Sequence, residues 1–381
     1  MKTKYFIYIL FVILTFGSCT KEEFKEEGTK RTVLMYAVAS NLGSNINNNI
    51  EKMISVATPE NLNGGNLIVY YSTNNKDAEL YEIKKGTNGV VTKHHIESYT
   101  NQSAINPEVM KSVITRVVND YPADGYGLIF SSHATSWLPS DYSKMLKSFG
   151  SEDGKNMEIY ELAKGIPDEY HFDFLLFDAC SMGGIECVYE LKDKADYIVA
   201  SPAETMAYGF PYETLLPYLF ETSANLNGVA QAFYNFYLSP PAYASTSPYG
   251  CVAITKTSEL DDLAAITKEI ISANGGEEGI YSLPLGELQT LSYLPYAPTR
   301  LYDFSDLIKH LATDEQYARF TACMDKAVTN RYSTDYIYCT KGGTTKVDTF
   351  SGLSIYPPQE KLTQLTDWYR NNTQWYKAVY K

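Results

Sequence analysis

Two short runs carry residue types that can do chemistry together. Phe172 to Gly184 reads FDFLLFDACSMGG, an apolar strand-like stretch that ends in Asp178-Ala179-Cys180 and breaks into a glycine-containing turn. Tyr126 to His133 reads YGLIFSSH and stops abruptly on a polar residue, His133. A thiol and an imidazole can serve as nucleophile and base although far apart in sequence, provided that the fold delivers them to one place. The thiolate attacks a carbonyl carbon, the imidazole protonates the departing amine, and backbone N–H groups meet the developing oxyanion. The amides of Cys180 and of Ala134, the residue after the His, are the expected donors, because an amide needs no particular side chain. Taken singly, His133 reads equally well as a polar residue closing a strand, and Cys180 as a small core residue. Together they favour a cysteine hydrolase. A serine hydrolase of α/β type is disfavoured because no Gly-x-Ser-x-Gly elbow occurs.

The elements that must position these residues follow from apolar patterning. Thr32 to Ala37, Asn66 to Tyr71, Tyr126 to Ser132, Phe172 to Phe177 and Tyr197 to Ser201 are predicted strands, and VLMYAV, LIVYY and FDFLLF have the continuous apolarity of strands covered on both faces. Helical patterns lie between them at Asn47 to Ala57, Pro107 to Tyr121 and Met157 to Ile166. This order predicts an α/β fold, a mostly parallel sheet flanked by helices with right-handed crossovers. Ligands in such sheets bind beyond the carboxyl ends of the strands, where His133 and Cys180 stand. Further on, Pro211 to Phe220, Asn227 to Tyr237 and Thr257 to Ser272 read as helices and Tyr249 to Ile254 as a strand. Gly275-Gly276 punctuates the chain, separating a main domain, 31–274, from a helix-rich extension, 275–381, packed on it. That extension is expected to hold two weaker helices before Ser333, a strand or pair within Thr344 to Pro357, and a closing helix from Leu362 to Lys381.

With 381 residues, 44% of them hydrophobic, the chain can bury a substantial core. The formal charge of -13, without a Lys/Arg cluster, argues against nucleic acid. Tyrosine is abundant at 33 residues, which suits amphipathic surfaces that handle peptides or glycans. At the amino end, Lys2 and Lys4 precede the apolar run Tyr5 to Phe16 and then Gly17-Ser18-Cys19, the order of a targeting segment and shorter than the ~20 residues that span a bilayer. The run is similar to a bacterial lipoprotein signal, with Phe16 bulkier than the usual residue there. On that likeness 1–18 is a signal peptide, Cys19 the lipidated first residue, and 19–30 a charged tether, placing the protein on the cell envelope. Of the five remaining cysteines, Cys180, Cys187, Cys251, Cys323 and Cys339, an odd number, at least one is a free thiol unless it bonds to another chain, Cys180 being the candidate. Cys323 and Cys339 read as a disulfide or as two thiols. No Cys-x-x-Cys, metal-like His spacing or Asp-x-Asx-x-Asx-Gly loop occurs, so no metal or cofactor is expected.

The blocks SSHATSW at Ser131 to Trp137 and FDACSMG at Phe177 to Gly183 resemble the His and Asp-Ala-Cys blocks of the clostripain-like cysteine peptidases, relatives in fold of caspases, gingipains and legumains. YAVASN at Tyr36 to Asn41, KSFGSEDG at Lys147 to Gly154, MEIYELAKGI at Met157 to Ile166, SPAETMAYGFPY at Ser201 to Tyr212 and GLSIYP at Gly352 to Pro357 extend the likeness over most of the chain. The resemblance implies a caspase-like fold and an endopeptidase acting on a peptide or protein substrate through a His133–Cys180 dyad with no obligatory third residue. It also implies a substrate pocket near Asp178, Glu204, Tyr208 and Pro211, with cleavage after Arg or Lys, and maturation by a cut between the His and Cys blocks. The polar stretch Lys144 to Lys155, with Lys144, Lys147 and Lys155, suits such self-processing and equally an exposed loop. Two departures stand out. Ala134 replaces the usual Gly after the His, and Phe210-Pro211-Tyr212 replaces an acid-containing segment, so that Asp178, Glu204 or Glu213 would have to meet a basic side chain. An alternative is a surface lipoprotein that keeps the fold to bind peptide or glycan without cutting it. A thiol of lowered pKa at Cys180 would separate the two.

Overall fold

The structure is a computed structural model that describes residues 30–73, 76–139, 149–152, 154–294, 299–339 and 343–381. Cys19, with the signal and most of the tether, and Lys144 and Lys147 lie outside the described residues. Strands β1 (Arg31–Val38), β2 (Asn66–Ser72), β3 (Ala78–Lys85), β4 (Val91–Tyr99), β5 (Gly125–Ser131), β6 (Phe172–Asp178), β7 (Ala195–Ala200), β8 (Cys251–Lys256) and β9 (Val328–Ser333) form one sheet in the order β9-β8-β7-β6-β5-β1-β2-β3-β4. The five central strands, β7 to β2, are parallel. They are the apolar runs that the sequence marks, because a central strand must be apolar on both sides. In β1, Val33, Met35 and Ala37 enter one core while Leu34, Tyr36 and Val38 enter the other.

The sheet is mixed at both edges. β3 and β4 form an antiparallel hairpin beside β2, and β8 and β9 run antiparallel beside β7. β3 (AELYEIKK) and β4 (VTKHHIESY) lack a continuous apolar run, since an edge hairpin keeps one face wet and its charges discourage further pairing. Their polarity hid them from the sequence reading.

The helices Gly43–Val56, Tyr212–Leu219 and Leu226–Leu238 cover one face of the sheet, contributing Ile50, Leu216 and Phe233. Pro107–Asp120, Ile159–Gly165, Ile185–Glu190 and Leu260–Ala273 cover the other. Local signals place their starts. Pro107 occupies the first turn of its helix while the Asn106 side chain accepts from the Glu108 amide, satisfying an orphan donor. Among the described residues, no helix is long and apolar enough to cross a membrane.

The segment after Asn274 is an extension with helices Gly276–Tyr281, Phe304–Leu311 and Asp314–Ala327, an antiparallel pair Thr290–Leu294 and Thr299–Asp303, and strand β9. The predicted closing helix is two, Thr363–Asn372 and Gln374–Tyr380, broken at Thr373, whose side chain caps the second. This segment supplies an edge strand of the main sheet and side chains of its core, among them Phe304, Tyr369 and Trp375, all fully buried. It also braces the two loops of chemical interest. Trp137, four residues after His133, packs on Tyr369 at 4.8 Å and Trp368 at 5.7 Å, ring centroid to centroid. Glu186, in the helix after Cys180, accepts from the Tyr356 amide at 2.8 Å and the Tyr369 hydroxyl at 3.3 Å.

Part of the tyrosine complement that suggested a ligand surface is structural. Tyr36, Tyr212, Tyr237 and Tyr369 are fully buried, and each hydroxyl donates to an internal oxygen. All five described cysteines are free thiols, which settles Cys323 and Cys339 as unpaired.

Each large side chain taken from the core costs roughly 1.5–3 kcal/mol, against a whole-domain stability of about 5–15 kcal/mol. A chain ending at Asn274 would lose the β9 strand and several such residues. It is therefore expected to show no cooperative urea transition by circular dichroism. A sharp transition would instead make 31–274 an independent domain.

Candidate active site

β5 and β6 pair in parallel with Ser131 opposite Asp178, so His133 and Cys180 each lie two residues beyond the same rung. The Ser132 amide donates to the Asp178 carbonyl at 3.4 Å, carrying the pairing one residue past the strand. The parallel register thus brings the two loops side by side at the carboxyl edge of the sheet.

The loop bearing His133 is held from three directions. The Ser132 hydroxyl donates to the Val38 carbonyl at 2.7 Å, tying it to the end of β1. The Gly150 amide donates to the His133 carbonyl at 3.0 Å, tying it to the short strand Phe149–Glu152. That strand is anchored in turn by Glu152, a buried carboxylate that accepts from the Ser72 hydroxyl at 3.0 Å, the Ser103 hydroxyl at 2.6 Å and the Ala104 amide at 3.1 Å. The third contact is from the imidazole itself, whose Nε2 lies 2.6 Å from Asn41 Oδ1. Asn41 belongs to the turn Ser40–Leu42 just past β1, the strand beside β5.

Beyond β6 the chain turns sharply. Ser181 adopts φ +57°, its amide donates to the Ala203 carbonyl at 2.8 Å, and the Gly183 amide donates to the Ser201 carbonyl at 2.8 Å. A Cβ at Gly183 would come within 2.7 Å of the Pro202 nitrogen, so the close approach of these backbones requires glycine. This contact presents the 203–205 segment to the thiol. Cys180 Sγ accepts from the Thr205 amide at 3.4 Å and lies 3.5 Å from the Thr205 carbonyl. Protein surrounds the thiol closely, though part of the residue remains open to solvent. This enclosure pushes the thiol up to about 12, with the Glu204 carboxylate adding to the effect, the Thr205 amide opposing it and the Asp178 charge adding again. The lowered thiol that would mark a poised nucleophile is not found in this form of the chain. Among the described residues, the amides of Ala134 and Cys180 have no acceptor.

The residues expected around a substrate divide into two pairs. Asp178 is 7% exposed, and its Oδ2 accepts from the Tyr212 hydroxyl at 3.0 Å. Gly209, at φ +65°, passes so close that a Cβ there would lie 2.5 Å from Asp178 Oδ1. The carboxyl thus holds the 209–212 turn. Pro211 is buried at the start of the helix Tyr212–Leu219 and offers no surface. Glu204 and Tyr208 stay partly exposed on the loop that passes the thiol. The Tyr208 hydroxyl donates to the Tyr243 carbonyl at 2.6 Å and the two rings meet edge to face at 5.7 Å. Glu213 is taken up by Lys52, 3.5 Å away, whose ammonium also lies over the Tyr243 ring at 5.1 Å. Among the described residues, no group of three or more His, Cys, Asp or Glu side chains could hold a metal ion.

Sequence reasoning missed two contributors. Asn41 had a readable signal, a polar residue at the carboxyl end of a strand next to β5. The Thr205 amide had none, because its value lies in backbone placement.

Burial raises the Asp178 carboxyl to about 6, with Tyr212, the Phe210 amide and Ser131 opposing the rise. The folded state therefore holds this proton at pH values where the unfolded chain has lost it. Its contribution to stability is full below the ordinary carboxyl range and is lost as pH rises through about 6. Asp178→Asn cannot ionise, so the variant is expected to gain on the parent by roughly 2 kcal/mol between pH 4 and 7. Urea unfolding across that range measures it, and a difference flat with pH would contradict the buried neutral carboxyl.

The Clostripain family profile matches residues 35–381. Clostripain from Hathewaya histolytica is 27% identical over 227 residues, 51% of this chain and 43% of that protein, so the match spans less than half of that relative's length. An X-ray structure of an inactive zymogen C11 protease from Parabacteroides distasonis superposes with a TM-score of 0.81 at 36% identity, covering 93% of this chain and 99% of that one. A secreted C11 cysteine protease from Bacteroides thetaiotaomicron superposes with a TM-score of 0.81 at 30% identity, over 92% of this chain and 99% of that one. The sheet of β1 to β9, the paired His and Cys loops and these likenesses agree: the chain belongs to the clostripain family.

Proposed function

We infer that the protein is a cysteine endopeptidase whose nucleophile is Cys180 and whose acid and base is His133. The observation that carries this reading is the β5–β6 register, which sets the two loops side by side. Cys180 Sγ gives its proton to the imidazole and attacks the scissile carbonyl carbon. The tetrahedral oxyanion is met by the free amides of Ala134 and Cys180. The C–N bond breaks as His133 returns the proton to the amine, leaving a thioester. Water then loses a proton to His133, attacks the thioester carbon and displaces the thiol. No external reductant or metal enters this balance.

The raised thiol implies a resting form. Sγ is enclosed by the 203–205 segment beside a carboxylate, and either opening that segment or neutralising Glu204 favours the thiolate. A Lys or Arg side chain of a substrate would do the second, which supports Glu204 as an acid of a pocket for basic residues. Cleavage within Lys144 to Lys155 is the proposed route to the first. The stub after such a cut stays pinned by Glu152, so the His133 loop keeps its support. Being an inactive zymogen is described for the Parabacteroides relative and is proposed here for the uncut chain. Export with a lipid anchor at Cys19 rests on the amino-terminal pattern, and secretion is described for the Bacteroides relative.

The same raised thiol suits a second reading, a surface protein that binds peptide or glycan without cutting. Cleavage of a mixed peptide library separates the two, using the chain from Arg31, the same chain nicked by limited proteolysis, and Cys180→Ala. Thiol-dependent cutting after Lys or Arg that rises on nicking, and falls roughly a thousandfold or more in Cys180→Ala, is the expected result. Cutting that survives Cys180→Ala would end the peptidase reading, and absence of cutting in every form would favour the binding protein.

A further inference from the structure

The contact between His133 and Asn41 assigns a role that a two-residue dyad leaves empty. An imidazole has two nitrogens, and in a neutral ring only one carries the proton. For transfer from a thiol to work, the base nitrogen must be bare and the other must hold its proton. Something must fix that tautomer and the ring plane. An amide oxygen accepts and cannot donate, so with Asn41 Oδ1 2.6 Å from Nε2 the tautomer that completes this bond carries its proton on Nε2, with Nδ1 as the accepting atom.

The surrounding bonds aim this contact. β1 and β5 are neighbours with Ala37 opposite Ser131, so their ends, and the turns beyond them, lie side by side. The Ser132 hydroxyl clamps the His133 loop to the Val38 carbonyl at 2.7 Å, which fixes the spacing between the Asn41 turn and the imidazole. The Gly150 amide on the His133 carbonyl prevents the loop from rolling about that clamp.

We propose that Asn41 is the positioning residue of His133, holding the imidazole by an Nε2–H···Oδ1 bond so that Nδ1 exchanges protons with Cys180 and with the leaving amine. This rests on the peptidase reading for its consequence in catalysis, though not for the bond itself. When Nδ1 takes the thiol proton, the ring becomes cationic and the bond to Asn41 becomes charge-assisted, so it strengthens as the thiolate forms. When Nδ1 delivers the proton to the amine, the ring returns to its starting tautomer without turning.

Two measurements on the chain from Arg31 test this. The first needs no activity. With 15N-labelled histidine, the His133 ring signals, identified by their loss in His133→Gln, should show a protonated, hydrogen-bonded Nε2 and a bare Nδ1, and Asn41→Ala should convert them to a fast-exchanging tautomer mixture. A proton on Nδ1 in the parent, or signals unchanged in Asn41→Ala, would overturn the proposal whatever the enzyme does. The second reads the consequence. After nicking, Asn41→Ala should lower kcat roughly ten- to hundredfold, the worth of one charge-assisted hydrogen bond, with KM nearly unchanged. Its alkaline activity limb should move to lower pH as the imidazolium loses support. Asn41→Asp, which also accepts, should recover most of kcat and move that limb to higher pH. Asn41 is exposed, so both variants are expected to keep the parent's unfolding midpoint. Equal kcat and equal pH limbs in all three proteins would remove Asn41 from the mechanism. A parent that cuts nothing would count against the peptidase reading, and the ring signals would still decide the bond.

Discussion

The parallel pairing of β5 with β6 is the constraint on which the site depends. Side chains alternate along a strand, so a slip by one residue would send one loop out with its side chains inverted relative to the other and separate the imidazole from the thiol. The register is pinned by shape. Gly127 stands opposite Phe174, and a Cβ at Gly127 would fall 2.2 Å from the Phe174 ring. The ring fills the space that glycine leaves. A shift in either direction would set Phe174 against a residue with a side chain, at the cost of overpacking a core that is closed on both faces.

Beyond the sheet, polar groups that are costly to bury connect the loops to their supports. Asp178, Glu152 and Glu186 are buried carboxyls, and each serves a different join: the 209–212 turn, the strand after the Lys144 region, and the C-terminal helices. Burial raises Glu186 to about 7, opposed by the Tyr356 amide, its own amide and the Tyr369 hydroxyl. A buried carboxyl without a cationic partner adds little net stability, but it stabilises one arrangement against others because its hydrogen-bond donors come from fixed places. The C-terminal segment is coupled to both loops in this way, through Glu186 and through the Trp137 cluster. This is how the extension packs against the elements that hold the site.

The legible part of the sequence was the part with continuous burial. VLMYAV, LIVYY, YGLIFS and FDFLLF gave the central strands because no surface exposure diluted their pattern, and the polar residues that end two of them marked the loops of His133 and Cys180. The edge strands β3 and β4 were illegible because their exposed faces carry Glu, Lys and His. The bond of Asp178 to Tyr212 was illegible because sequence adjacency to Cys180 does not tell which way a strand-end side chain points. At the last rung of β6 it turns into the core and meets Tyr212, thirty-four residues away in sequence. Tyrosine number was ambiguous for a similar reason, since a buried hydroxyl with a partner and an exposed one look alike in composition. Asn41 was visible as a residue but its meaning depends on β1 lying next to β5, a fact of topology.

The most direct test of the account is the site of covalent capture by a lysine-ended peptidyl acyloxymethyl ketone, read by peptide mass spectrometry on the nicked protein. Such a ketone alkylates a thiolate that is oriented by an adjacent imidazole and reached by a bound peptide. The account predicts one label per chain, on Cys180, abolished in His133→Ala while the fold is retained. Labelling spread over Cys180 and Cys323, or unchanged by loss of His133, would contradict it.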